Sequence, residues 1–184
     1  DKLAKLLTPT AKLFCSEYAN FVAYHSLQIL GGSGYTEEYD IAKLYRDARI
    51  STIYEGTTQL QAVAAIGGIV EGLREGGFLL THLRSEVEKL SDAEKKKALG
   101  EDIEALAQLV PIYKAHAHKE AISIDMVTAF AHVYTSLLLA EQLQIAQKKN
   151  LTDIASSKAA VFPHFHRLSR RYLAGLKVAV NSAA

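Results

Sequence analysis

The 184 residues are 49% hydrophobic and 22% charged, long enough for one substantial domain or two small ones and apolar enough to build a packed core. With 21 basic against 20 acidic side chains the formal charge is +1, a balance that argues against a dedicated nucleic-acid binder. The lone Cys15 excludes an internal disulfide and any cysteine-rich metal site.

Three prolines and 11 glycines punctuate a pattern dominated by helical periodicity, which predicts an all-α chain of two successive helical bundles. Thr8-Pro9 reads as a helix start, a hydroxyl cap followed by proline in the first turn. Leu13, Cys15, Tyr18, Ala19, Val22 and Leu27 then form an apolar side through about residue 30, with Cys15 as a small core residue, until Gly31, Gly32 and Gly34 end the helix. Residues 35–40 read as a loop, 41–47 as a short helix and 49–56 as a crossing loop, extended in part. A further helix is expected from Thr57 to about Arg74.

Glu75-Gly76-Gly77 is the best boundary, dividing 1–75 from 76–184. Beyond it an amphipathic helix is expected over 78–90, then a fresh N-cap at Ser91-Asp92 with Glu94 as a first-turn acid. The helical pattern continues to Asn150 with a kink or break at Pro111, and a last helix runs from about Ile154 to Val180, divided at Pro163. The most apolar region, 121–146, contains Asp125, His132 and Glu141 and reads as a core helix of a water-soluble bundle. Neither a secretory signal pattern nor an uninterrupted apolar run of spanning length is present in these residues. The chain opens on Asp1 inside a helical pattern, so a piece of a longer polypeptide is expected.

Candidate chemistry concentrates in Ile53-Tyr54-Glu55-Gly56-Thr57-Thr58-Gln59. One carboxylate stands between an aromatic ring and a glycine at the mouth of a helix that Thr57 or Thr58 can cap. Gly56 removes a side chain beside Glu55, so a flat group can approach closely. Such a carboxylate serves as a general base when bound substrate excludes water; the plainer reading is an exposed acid favoured by the helix dipole. Other candidates are weaker. His116 and His118, like His164 and His166, are two apart and do not share a helical face, which makes a metal pair improbable, and no metal site is expected. Arg167, Arg170, Arg171 and Lys177 make part of the last helix basic, a solvated face or a contact for an acidic partner, a neighbouring subunit or anionic lipid.

Three blocks in order, Gln28-Ile29-Leu30-Gly31-Gly32-Ser33-Gly34-Tyr35, Leu44-Tyr45-Arg46-Asp47-Ala48-Arg49 and Ile53-Tyr54-Glu55-Gly56-Thr57, closely resemble the C-terminal signature of the flavin-dependent acyl-CoA dehydrogenases. The resemblance covers roughly residues 1–72. It implies an FAD enzyme that converts acyl-CoA thioesters to trans-2-enoyl products, with Glu55 as the base that removes the proton beside the thioester carbonyl. It places Tyr54 and Gly56 against substrate, and Thr57, Thr58 and Gln59 at the FAD phosphates. Gln28, Ile29, Leu30, Gly31 and Gly32 fall near the adenosine end of FAD across a dimer interface. Arg46 and Asp47 become structural, an ion pair holding the loop of Glu55. It further implies a homo-oligomer, electron-transfer flavoprotein as electron acceptor, and a cytoplasmic location in preference to the mitochondrial matrix. Residues 76–184 are comparable in position to the extra C-terminal helical domain of very-long-chain members, used in dimer and membrane contact. These 184 residues alone are expected neither to hold FAD tightly nor to turn over substrate. The alternative is a helical interaction or dimerisation module that keeps the signature without activity of its own.

Overall fold

The computed structural model describes residues 2–182. Of the described residues 82% are helical and none lies in a strand, so the all-α expectation holds. Its helices are α1 (Lys2–Leu30), α2 (Gly32–Tyr35), α3 (Ile41–Ile50), α4 (Thr58–Gly72), α5 (Phe78–Glu88), α6 (Ala93–Ala115), α7 (Ser123–Lys148) and α8 (Thr152–Asn181). They form two compact units, residues 1–65 and 66–184, which divide within α4.

In the first unit α2 and α3 pack on α1. Leu6, Pro9, Thr10, Leu13, Ser16 and Ala23 are the buried positions of α1. They recur at intervals of three, four and seven, the spacing of a single helical face. Cys15 lies off that face and is exposed, as is Val22, which corrects the expectation of a core cysteine. α1 also starts upstream of Thr8 and runs through Pro9. The hydroxyls of Thr8 and Thr10 do not cap it; they donate backwards to the carbonyls of Ala4 (2.8 Å) and Leu6 (2.9 Å). The Gly31–Tyr35 corner is tight. A Cβ on Gly34 would come within 2.8 Å of the Leu27 carbonyl oxygen and 2.9 Å of the Leu30 Cβ, so the turn requires glycine there.

Residues 51–55 form turns, not the extended crossing expected for part of 49–56. Asp47 pairs with Lys43 at 2.5 Å, four residues earlier on the same exposed helix face, and not with Arg46. Adjacent helical residues point in different directions, so the expected Arg46–Asp47 bridge cannot form across α3. The loop is held instead by Asn20 of α1, whose amide donates to the Ala48 carbonyl (2.9 Å).

The second unit packs α5, α6, α7 and α8, with α7 and α8 in the most extensive contact. Leu83, Leu99, Ile103, Leu106, Met126, Phe130 and Leu137 are fully buried at its centre. The Gly76-Gly77 turn closes back on α4: a Cβ at Gly77 would sit 2.3 Å from the Gly72 carbonyl oxygen. Asp92 caps α6 as expected, accepting the Lys95 N–H at 3.0 Å. Pro111 and Pro163 lie inside α6 and α8, neither of which ends at its proline. Each proline follows a buried residue, Val110 and Phe162, so packing outweighs the missing backbone donor. α7 is long and apolar enough to cross a membrane, but 61% of its most apolar window is buried inside the protein, as in a core helix.

His132 of α7 is fully buried, stacked on Tyr172 (ring centroids 4.0 Å) and Phe165 (5.3 Å) of α8. Burial pushes its pKa down from the usual 6.5 to about 4, so the folded ring is neutral. Between those values the unfolded chain binds the extra proton. This contribution to stability is therefore complete above pH 6.5 and lost as pH falls towards 4, about 3 kcal/mol in all. Hydrogen exchange of the α7 and α8 amides, corrected for intrinsic rate, should show this loss, and His132→Phe should remove most of the pH dependence. An unchanged slope in the variant would assign it to other groups.

Candidate active site

The turn that precedes α4 displays Glu55. Glu55 has φ 51° and Gly56 φ 92°, two consecutive residues in the left-handed region. A non-glycine residue rarely adopts this conformation, and where it does the surroundings hold it there. Here two side chains do so, and a third caps the helix that follows. The Gln61 amide donates to the Glu55 carbonyl at 2.8 Å. The Lys12 ammonium donates to the Gly56 carbonyl at 2.6 Å and stands 5.8 Å from the centre of the Tyr54 ring. Thr57 accepts the Leu60 N–H at 3.5 Å, a long capping bond at the start of α4.

The Glu55 side chain is exposed and has no hydrogen bond or ion pair among the described residues. Tyr54 beside it is 51% exposed. Gly56 has no room for a side chain: a Cβ there would lie 2.7 Å from the Gln61 amide nitrogen. Thr58 donates its hydroxyl to the Glu17 carboxylate, tying the start of α4 to α1, while Thr57 and Gln59 are exposed.

Gln28, Ile29, Leu30, Gly31 and Gly32 are all exposed at the end of α1. A Cβ at Gly31 or Gly32 would meet nothing within 4 Å, so both stand in open space. This segment and Thr57–Gln59 do not meet. Thr58 touches α1 at Glu17, and Gln28 lies eleven residues farther along that helix, roughly 16 Å at the α-helical rise.

Lys12, Asn20 and Gln61 went unread in the sequence. Lys12 is 44 residues from Gly56 and Asn20 is 28 from Ala48, and no local pattern announces either. Gln61 is only six residues past Glu55, on the first turns of α4, and its short separation is the one available signal.

The family model for the acyl-CoA dehydrogenase C-terminal domain matches residues 1–66. The chain is 51% identical over 77 residues to 3-methylmercaptopropionyl-CoA dehydrogenase of Ruegeria pomeroyi, covering 42% of this chain and 13% of that protein. It is 44% identical over 64 residues to the mitochondrial short-chain specific acyl-CoA dehydrogenase of Bos taurus, covering 35% of this chain and 16% of the relative. A crystal structure of an acyl-CoA dehydrogenase complexed with FAD from Bacillus anthracis has the same fold, with a TM-score of 0.70 and 20% identity. That alignment takes in 94% of this chain and 32% of the solved one. The matches thus span only a small part of each relative.

Proposed function

We propose that the chain, whose residues 1–66 match the acyl-CoA dehydrogenase C-terminal domain, is the C-terminal part of an enzyme of that family that oxidises acyl-CoA thioesters to trans-2-enoyl-CoA. The observation that carries the reading is the Glu55 carboxylate, exposed and unpaired among the described residues at a turn held by two helices. Glu55 takes the proton from the carbon next to the thioester carbonyl. Its pair of C–H electrons becomes the new double bond as the neighbouring carbon gives up hydride. Gly56 supplies backbone without a side chain for the thioester to lie against, the position of its missing Cβ being taken by the Gln61 amide, and Tyr54 supplies an apolar wall.

The residues present suit FAD. The first-turn N–H groups of a helix attract a pyrophosphate, which fits Thr57, Thr58 and Gln59. The open backbone at Gly31 and Gly32, with the exposed Gln28, Ile29 and Leu30, suits the adenosine end. When bound, FAD accepts the hydride. The two segments stand too far apart along α1 to serve neighbouring parts of one cofactor, which favours a homo-oligomer in which each subunit lends one segment. The large apolar side chains exposed in the first unit, among them Phe21, Val22, Tyr24, Ile29 and Leu44, support burial against the rest of the enzyme or another subunit.

A relative named as the caffeyl-CoA reductase–Etf complex subunit CarC, from Acetobacterium woodii, is 43% identical over 61 residues. It supports electron-transfer flavoprotein as the acceptor. Cytoplasmic location is preferred to the mitochondrial matrix. The exposed Arg167, Arg171 and Lys177 of α8 suit peripheral membrane contact. Residues 76–184 act as the appended helical domain, with 1–75 completing the catalytic one.

The test is turnover of a series of acyl-CoA chain lengths by purified full-length protein with an artificial electron acceptor. Enoyl-CoA formation with bound flavin is expected. A full-length protein that carries no flavin and turns over no thioester would leave the interaction module as the better account.

A further inference from the structure

We propose that Gln61 and Lys12 are positioning residues for the reaction, a pair of clamps that fix the direction of the Glu55 side chain. The inference rests on the reading of Glu55 as the base. Two successive peptide groups, Glu55–Gly56 and Gly56–Thr57, follow residues with positive φ. Either peptide can rotate only by moving the carbonyl that a side chain holds. Gln61, on α4, holds the first carbonyl at 2.8 Å; Lys12, on α1, holds the second at 2.6 Å.

The clamps come from two helices, one before the turn in the chain and one after it. Both are half-buried side chains, so their geometry is set by their own helices. The Gln61 amide also lies against Gly56 where a Cβ would intrude, so the glycine and the amide are mutually fitted. Releasing either carbonyl lets Glu55 relax towards the ordinary right-handed region, which swings the Cα–Cβ bond and carries the carboxylate away from its position. A displacement of about an ångström at a proton-transferring group costs on the order of a hundredfold in rate.

The test uses the full-length enzyme with FAD. Gln61→Met keeps side-chain length, Lys12→Met shortens it by one atom, and both remove the donor. Each should lower kcat roughly 10- to 100-fold with KM changed less than about threefold, at unchanged FAD content and thermal midpoint. Lys12→Arg, which keeps a cationic donor, should recover most of the loss. The inference is overturned if both Met variants keep kcat within about threefold of wild type. It is equally overturned if activity falls only together with FAD content and thermal midpoint, since the role is then structural. Glu55→Gln, measured alongside, separates the two ideas. If it is inactive while the Met variants are normal, only the clamps fail; if it turns over normally, the base reading itself fails.

Discussion

Replacing Glu55 by Gln in the full-length enzyme should lower turnover by roughly three or more decades while leaving FAD binding and folding intact. The change is nearly isosteric. It removes the carboxylate and breaks no contact, since the Glu55 side chain has neither a hydrogen bond nor an ion pair among the described residues. Folding therefore has little to lose. The loss falls on the chemical step, because the proton beside a thioester is weakly acidic and its removal needs a placed base. Single-turnover reduction of the flavin by substrate reads this directly. A loss confined to KM would point to substrate contact in place of proton transfer.

Asp102→Ala should destabilise the second unit by about 3 kcal/mol, in the range seen when one partner of a buried charged network is removed. The Asp102 carboxylate is only 3% exposed on α6. It accepts from two residues of α8, the His166 ring at 2.7 Å and the Arg170 guanidinium at 3.1 Å. Phe162 stacks on His166 at 5.4 Å between ring centroids, with the Lys95 ammonium 5.6 Å from the Phe162 ring centre. Truncation leaves His166 half-buried without its acceptor. Arg170 suffers less, being half exposed and 3.7 Å from Glu101. Faster hydrogen exchange of the α6 and α8 amides checks the prediction. Exchange unchanged from wild type would mean that apolar packing alone fixes α8 on α6.

The sequence revealed most where chemistry and neighbours are contiguous. Glu55, Gly56 and Thr57 announce the mouth of a helix, and the helix start and its Thr57 cap are found there, although the residues before it turn where a crossing loop is expected. Asp92 was legible as a cap for the same reason. What escaped depends on distant partners. His166 looked like one of a close histidine pair, but its partner Asp102 is 64 residues away. The apolar pattern of α1 points to the wrong face because its small and apolar residues are spread around the helix. Only packing selects Leu6, Leu13 and Ala23 over Cys15 and Val22. The prolines misled differently: local propensity argues for a start or break, and helix packing overrides it at Pro111 and Pro163. No feature of the chain near Glu55 foretold Lys12, the residue that ties its turn to α1.

The most direct measurement is exchange of the substrate's α-hydrogens with deuterated solvent, followed by mass spectrometry on the full-length enzyme with a bound acyl-CoA analogue that cannot be oxidised. Wild type should exchange them, and Glu55→Gln should not. Exchange at the wild-type rate in the variant would show that another group removes the proton.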